Sequence, residues 1–420
     1  MLGRDEQGDE HGDEHGDEQG DGEMVEEELV RPDVSPDKVR ELVERLYGIN
    51  ATSVTELGSY DDQNFHVETR GHVVPEPSSS SSPSVVCPHG YVLKVTNSAD
   101  SRHRASLVEA QTQAVRFLGE RGFPVPAVVF TVDGRLMAME MLDGDGSEFR
   151  FIVRLFTFLP GTLLEEVEPS DDLLGQMGRT LARMNRTLHE EFHEPCRAAL
   201  CSDGRWGLQQ AHLIAPFVDE VEDVSLRATL ADVVHQFHER VLPNLRHFRP
   251  SINHSDFHDQ NLLVRPKPCA SGGGAGGWEL CGILDFSDAC AGPLVLDAAV
   301  AMADVVASAR HSDLQQALRA AGAFLAAFER EVGAPLTGAE RGALFILVAA
   351  RLAQSAVLAE RDSRTMASDG PAGGRARRIG AFVAQEAARL RELWAAGEDE
   401  AWRCWRRGSD PPDELGLPRT

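Results

Sequence analysis

The sequence is short of the features that mark disulfide scaffolds, zinc ribbons, membrane spans and polyanion binders. Its seven cysteines (Cys87, Cys196, Cys201, Cys269, Cys281, Cys290 and Cys404) are an odd number, and no two form a C-x-x-C pair. The spacing therefore argues against a disulfide framework and a zinc ribbon, and a reducing, cytoplasmic compartment is the default. No apolar run reaches the roughly 20 residues that a membrane span requires. The N-terminus is acidic where a signal or transit peptide is basic. Positive charge is scarce as well: 41 Lys and Arg face 67 Asp and Glu, for a net charge of −26. Such a chain is a poor partner for nucleic acid or an anionic membrane, and it suits a small cationic substrate.

What is present is a chain of 420 residues with 42% apolar content, enough for a two-lobed enzyme with a sizeable core. The charge is concentrated at one end. Residues 5–20 run DEQG, DEHG, DEHG, DEQG, a self-repelling tract with nothing apolar to offset the entropy of ordering it. Residues 1–34 are read as a disordered acidic tail, and its two histidines do not make a metal site. Ser35-Pro36 is a helix N-cap and first turn, followed by Val39, Leu42, Val43 and Leu46 on one face and by Gly48.

Strand-like pieces follow. Ala51–Leu57 and Phe65–Thr69 flank a polar turn at 58–64, and Tyr91–Val95 is a further strand. A helix is expected over Ser106–Arg121, with Leu107, Ala110, Ala114, Phe117 and Leu118 on its inner side. A hairpin is expected from 127–132 and 135–141 around Asp133-Gly134. Phe151–Leu159 ends at Pro160-Gly161. The Pro/Ser-rich stretch 75–84, within 72–90, and Ser271–Gly277 read as flexible inserts. Beyond Pro169 the period turns helical, with Leu174, Met177, Leu181, Met184 and Leu188 on one face. Ala/Leu-rich helices are expected across 295–395. The expected architecture is α+β: a small β-rich N-lobe over 35–159, a larger helical C-lobe over 160–396, and a C-terminal tail over 397–420.

The chemistry lies in two short segments, INHSDFHDQNLLV at Ile252–Val264 and GILDFSDA at Gly282–Ala289. Phosphoryl transfer from a nucleotide needs an acceptor for the attacking hydroxyl's proton and hard oxygen ligands for Mg²⁺. Asp256 is placed to be the base, and Asn261 and Asp285 to be the metal ligands. His254 suits a role in bracing the loop. Lys94 stands in an apolar strand, where contact with nucleotide phosphates gives it a reason, and Glu109 on the next helix is placed to pair with it. In the turn at 58–64, Asn64 and backbone N–H groups face the nucleotide, although Asp61 and Asp62 would repel phosphate unless they point away. Thr157, Phe158 and Leu159 form the hinge that meets the base edge. The pattern points to a small-molecule kinase. A catalytically silent nucleotide-binding scaffold is the contrasting reading, and the intact acidic residues argue against it.

These segments resemble the aminoglycoside phosphotransferase family, which shares the protein-kinase-like fold. That family reads H-G-D-x-x-x-x-N, then I-D-[FW]-x-[DE]-x-x-x-G-[DP]-x-x-x-D. LDFSDACAGPLVLD at 284–297 follows the second part, so the resemblance makes Asp285 a metal ligand and Asp297 a loop-bracing acid. Ser255 stands where the family has Gly. SYDDQNFHV, VRLFTFLPG, DFHDQNLL and GILDFSDA resemble most the branch that acts on 5-hydroxy-L-lysine. The resemblance covers roughly 35–395. It implies GTP (or ATP) as donor, Mg²⁺ as cofactor and a cationic amino-acid acceptor phosphorylated at its 5-hydroxyl. Kinases for choline, ethanolamine or homoserine are the alternatives within the class.

Overall fold

The computed structural model describes residues 30–70, 73–74, 85–144, 147–201, 204–268, 277–367 and 373–408. The acidic repeat, the Pro/Ser-rich insert 75–84 and most of the 271–277 insert lie outside the described residues.

Helix α1 (Pro36–Tyr47) begins where the sequence indicates, with the Ser35 side chain accepting from the Lys38 N–H. It ends at Gly48, whose φ of 66° is left-handed. The fold starts earlier than 35, however. Val34 is buried, the Val30 N–H is bound by the Ser98 hydroxyl, and Arg31 pairs with Glu56. The last residues assigned to the tail are therefore docked on the N-lobe.

Strands β1 (Ala51–Leu57) and β2 (Gln63–Thr69) form a hairpin, and β3 (Val73–Val74) pairs with β4 (Val85–Val86). After β5 (Tyr91–Val95) come α2 (Ser98–His103) and α3 (Ala105–Glu120), then β6 (Val128–Val129), β7 (Ala138–Gly144) and β8 (Ser147–Thr157). The N-lobe sheet has the antiparallel order β1-β2-β5-β8-β6, with β7 also pairing β8. The expected hairpin between 127–132 and 135–141 does not form a ladder. The Asp133-Gly134 turn is there, but both of its arms pair with β8 rather than with each other.

The C-lobe opens with β9 (Thr162–Leu163) and α4 (Asp171–Glu191), whose inner face is the apolar series read from sequence. Beyond α5 (Val224–Gln236), the segments β10 (Pro250–Asn253), β11 (Leu262–Pro266), β12 (Trp278–Ile283) and β13 (Cys290–Pro293) build two small sheets. Their orders are β12-β11-β9 and β10-β13. Four helices complete the lobe: α6 (Leu294–Ala307), α7 (Leu314–Val332), α8 (Gly338–Ala367) and α9 (Gly373–Arg407).

The tail placed at 397–420 is corrected over its first part. Helix continues to Arg407 across a break at Gly397 (φ 79°), and Ala401, Cys404 and Trp405 are buried. Its packing against α7 depends on Gly322, where a Cβ would lie 2.3 Å from the Trp405 carbonyl oxygen. Helix α8 is apolar and long enough to cross a membrane over Gly338–Asp362, but 89% of its most apolar stretch is buried inside the protein. It is the central helix of the C-lobe core.

Candidate active site

The segment between β10 and β11 carries the first set of polar groups. Asp297, buried at the start of α6, accepts the backbone N–H of His254 (2.9 Å) and of Ser255 (2.8 Å), and the Asn185 amide at 2.7 Å. It braces the loop, as the resemblance implies. His254 is fully buried between Phe257 and Phe286. Its Nδ1 accepts the Asp256 N–H at 3.3 Å and its Nε2 reaches the Leu284 carbonyl at 3.0 Å. Burial holds this imidazole in its neutral form against the pull of Asp297 and Asp256. Ser255 adopts φ 67°, the left-handed conformation that the family's glycine takes without strain.

Asp256 is held by both oxygens. Oδ1 accepts from Arg351 Nη2 at 3.0 Å, and Oδ2 from Asn261 Nδ2 at 2.9 Å, with His258 Nε2 at 3.1 Å. Burial disfavours the charge, but His258 and Arg351 more than compensate, and the carboxyl stays below the usual carboxylate range. His258 responds in the opposite direction. Burial works against its cation, but Asp256, then Asp304 and Asp259, push it up to about 9. Arg310 takes Asp259 at 3.2 Å.

Asn261 donates its amide N–H groups to Asp256, which leaves its Oδ1 without a hydrogen bond among the described residues. The Leu284 N–H closes on the Asn261 carbonyl at 2.8 Å, tying this loop to the one that carries Asp285. Asp285 (φ 50°) binds Lys94 Nζ and the Ser287 N–H through Oδ1, so Oδ2 is open in the same sense. Lys94 drives this carboxyl down against the effect of burial. Two hard oxygens without hydrogen bonds, on loops clamped to each other, fit a Mg²⁺ ion.

One expected partnership is corrected. Glu109 lies on the exposed side of α3 and does not meet Lys94, because the buried face of that helix runs through Val108, Gln111, Thr112 and Val115. Of the inner face read from sequence, Ala110, Ala114 and Leu118 are buried and Leu107 and Phe117 are partly buried, while Glu109 between them points outward. Lys94 is held instead by Asp285 at 2.9 Å, Asp62 at 3.1 Å and Ser287 Oγ at 2.7 Å. Asp62 is fixed in turn by the Asn97 N–H and side-chain amide. Gln111 bonds the Ser287 and Ala289 carbonyls and so docks α3 on the Asp285 loop.

Asn64 sits opposite Lys94 across β2 and β5, and its Oδ1 is buried without a partner. Asp61 and Asp62 do point away from the turn's mouth, toward Arg205 (3.7 Å) and toward Asn97 and Lys94. At the hinge, Thr157 and Phe158 spend their N–H groups on the Ala127 and Gly90 carbonyls. Leu159 is the first residue beyond those two bonds.

Several cleft residues were not anticipated. Tyr60 donates to Asp362 at 2.7 Å, and Arg205 binds the same carboxylate through two bonds of 2.9 Å. Trp206 packs edge-on to Tyr60, and Arg351 donates to the Trp206 carbonyl at 3.3 Å. Asp288 faces solvent on the cleft wall, yet its surroundings desolvate it; burial, with Asp256 and Asp285, pushes it up to about 7. A lone arginine in the apolar run ALFILVAARLAQSAVL was a signal for Arg351; nothing local marked Arg205 or Asp362.

Residues 58–336 match the family model described as the phosphotransferase enzyme family. The hydroxylysine kinase of Xenopus laevis is 35% identical over 331 residues, covering 78% of this chain and 83% of that protein. That of Danio rerio is 33% identical over 377 residues, covering 89% and 96%. Among solved structures, an amicoumacin kinase in complex with AMP-PNP, Ca²⁺ and Ami superposes with a TM-score of 0.59 at 15% identity, over 85% of this chain and 93% of that one. A microcompartment-associated aminopropanol kinase gives 0.57 at 17% identity, over 88% and 100%. These two likenesses establish the two-lobed kinase-like fold.

Proposed function

The chain belongs to the phosphotransferase enzyme family and is a small-molecule kinase acting on a hydroxyl acceptor; from this we propose that it transfers the γ-phosphate of GTP to the 5-hydroxyl of 5-hydroxy-L-lysine. The observation that carries the substrate reading is the 35% identity to the Xenopus laevis hydroxylysine kinase across 83% of that protein's length. The proposed donor follows the same resemblance.

In this reading the 5-hydroxyl oxygen forms a bond to the γ-phosphorus as the bond to the bridging oxygen of GDP breaks. The hydroxyl proton passes to Asp256, and GDP departs with the bonding electrons. Asp256, ionised because His258 and Arg351 hold its carboxylate, orients the hydroxyl and accepts its proton. Asn261 and Asp285 would hold Mg²⁺ through the two open oxygens. When bound, the ion offsets charge on the phosphates. Lys94, poised between Asp62 and Asp285, exchanges one of its three contacts for a phosphate oxygen. Asn64 beside it offers a buried, unpartnered oxygen. Thr157, Phe158 and Leu159 line the base edge. Glu109 has no place in the site.

The cleft opens between the N-lobe turn and α8, and its acids suit an acceptor with ammonium groups. Asp288 is the proposed partner of the ammonium beside the reacting hydroxyl, because Arg310 already occupies Asp259. The test is phosphate transfer from GTP and from ATP to hydroxylysine, choline, ethanolamine and homoserine, read by mass spectrometry. Hydroxylysine gains one phosphate and leads the other acceptors by at least about tenfold in kcat/KM. Equal or faster phosphorylation of choline overturns the substrate reading.

A further inference from the structure

We propose that Arg351 recognises the acceptor's carboxylate and that this contact frees Asp256 to accept the hydroxyl proton. The inference rests on the amino-acid acceptor reading and names the residue that sets its specificity.

The two oxygens of Asp256 are not equivalent. Oδ2 is engaged by Asn261 and His258, from the same short loop that carries Asp256 and is itself clamped by Asp297. Those contacts cannot be released without moving the loop. Oδ1 is engaged by a single side chain, Arg351, reaching in from α8. An incoming hydroxyl is therefore directed to Oδ1, where Arg351 now sits. Whatever draws the guanidinium aside uncovers the base.

Arg351 is built to be drawn aside by an anion. It offers five N–H donors, and among the described residues it uses one on Asp256 and one on the Trp206 carbonyl. Its side chain is 14% exposed, so it is sheltered but reachable from the cleft. A planar guanidinium pairs with carboxylate through two parallel bonds. Arg205, also on this side, is already bidentate to Asp362. Asp285 and Asp288 add like charge around Asp256, so a carboxylate-bearing acceptor is repelled unless it meets Arg351. Amino alcohols without a carboxylate leave Arg351 on Oδ1 and the base masked.

The test pairs ligands that differ only in the carboxylate. Hydroxylysine is compared with its decarboxylated analogue, 1,5-diaminopentan-2-ol, in turnover by the wild-type protein and by Arg351→Gln. The dead-end ligands lysine and 1,5-diaminopentane are compared in binding to the same proteins with Mg²⁺ and GDP present. Wild type prefers the carboxylate-bearing member of each pair by at least about tenfold. In Arg351→Gln both preferences fall below about threefold, because hydroxylysine loses rate while the analogue keeps or gains it. Arg351→Lys retains part of the preference and serves where the glutamine variant folds poorly. A lysine preference that survives unchanged in either folded variant overturns the role of Arg351, as does an equal loss for both members of each pair. Absence of hydroxylysine turnover in the wild type overturns the substrate reading instead, so the two failures are told apart.

Discussion

Arg351 on α8 donates to Oδ1 of Asp256 at 3.0 Å across 95 residues of sequence, so a core helix as well as the catalytic loop sets the position of the candidate base. The link extends to the other lobe. Arg351 also holds the Trp206 carbonyl, Trp206 packs against Tyr60 of the β1–β2 turn, and Tyr60 returns to α8 through Asp362. The turn that would cover the nucleotide and the group that would take the proton are thus braced by one helix.

Replacing Asp256 by Asn keeps the size of the side chain and an oxygen for Arg351 while removing the basic group. Turnover should fall by roughly 10²–10⁴, the range for loss of a positioned general base. Nucleotide affinity should stay near the wild-type value. Single-turnover kinetics beside nucleotide titration measures both, and wild-type turnover in a folded variant would remove Asp256 from the proposed role.

The corrected partner of Lys94 gives a paired test. Glu109→Ala alters an exposed surface position, where stability effects are usually within about ±0.5 kcal/mol, and kcat/KM should be unchanged within about twofold. Asp62→Asn removes a charge that Lys94 meets in a buried setting, where breaking one half of an ion pair costs about 3–5 kcal/mol. Nucleotide KM should rise at least about tenfold and the melting temperature should drop. Kinetics of both variants against nucleotide concentration decides it, and the opposite ranking would restore Glu109.

The local part of the site was legible because its residues lie within one loop or one strand end. Asp256, Asn261 and Asp285 can be read from their spacing together with the apolar flank 262–264 and the ILDF run, and the two loops meet where the Leu284 N–H donates to the Asn261 carbonyl. Glu109 failed although most of the helix face was read correctly, because Ala110, Ala114 and Leu118 are buried while Glu109 beside them points to solvent. Gln111, a polar residue on that face, was the clue, since it satisfies the Ser287 and Ala289 carbonyls. Arg351, Arg205 and Asp362 were hidden because they act across tertiary contacts of more than ninety residues. The stretch read as a tail was missed because a second helical run follows the break at Gly397 and buries Ala401, Cys404 and Trp405.

Ser255 holds a left-handed φ of 67° with a side chain attached. That conformation costs a non-glycine residue about 1–2 kcal/mol, while glycine loses about 0.5–1 kcal/mol more chain entropy on folding. Ser255→Gly should therefore be neutral to about 1 kcal/mol more stable, after the hydroxyl's contact with Cys290 Sγ is lost. Ser255→Val, β-branched at positive φ, should lose about 1–3 kcal/mol. Urea denaturation of both variants measures this, and a valine variant as stable as the glycine one would mean that the loop is not held where Asp297 places it.

His258 makes stability depend on pH in a definite direction. Its folded value is pushed up to about 9 by Asp256, Asp304 and Asp259 against burial, from about 6.5 in an unfolded chain. A group whose folded value is raised contributes fully below the unfolded value and loses that contribution as pH rises through the folded one. The wild-type melting temperature should therefore decline between about pH 7 and pH 10. Asp256, whose value is lowered, titrates far below this window and adds no slope there. His258→Gln keeps a donor for Asp256 without a titrating proton, so its decline over the same interval should be visibly shallower. Melting curves at half-unit steps, in buffers matched for ionic strength, make the comparison. Parallel curves for the two proteins would mean that His258 is neutral in the folded state and holds Asp256 through Nε2–H while its Nδ1 accepts the Gln260 N–H.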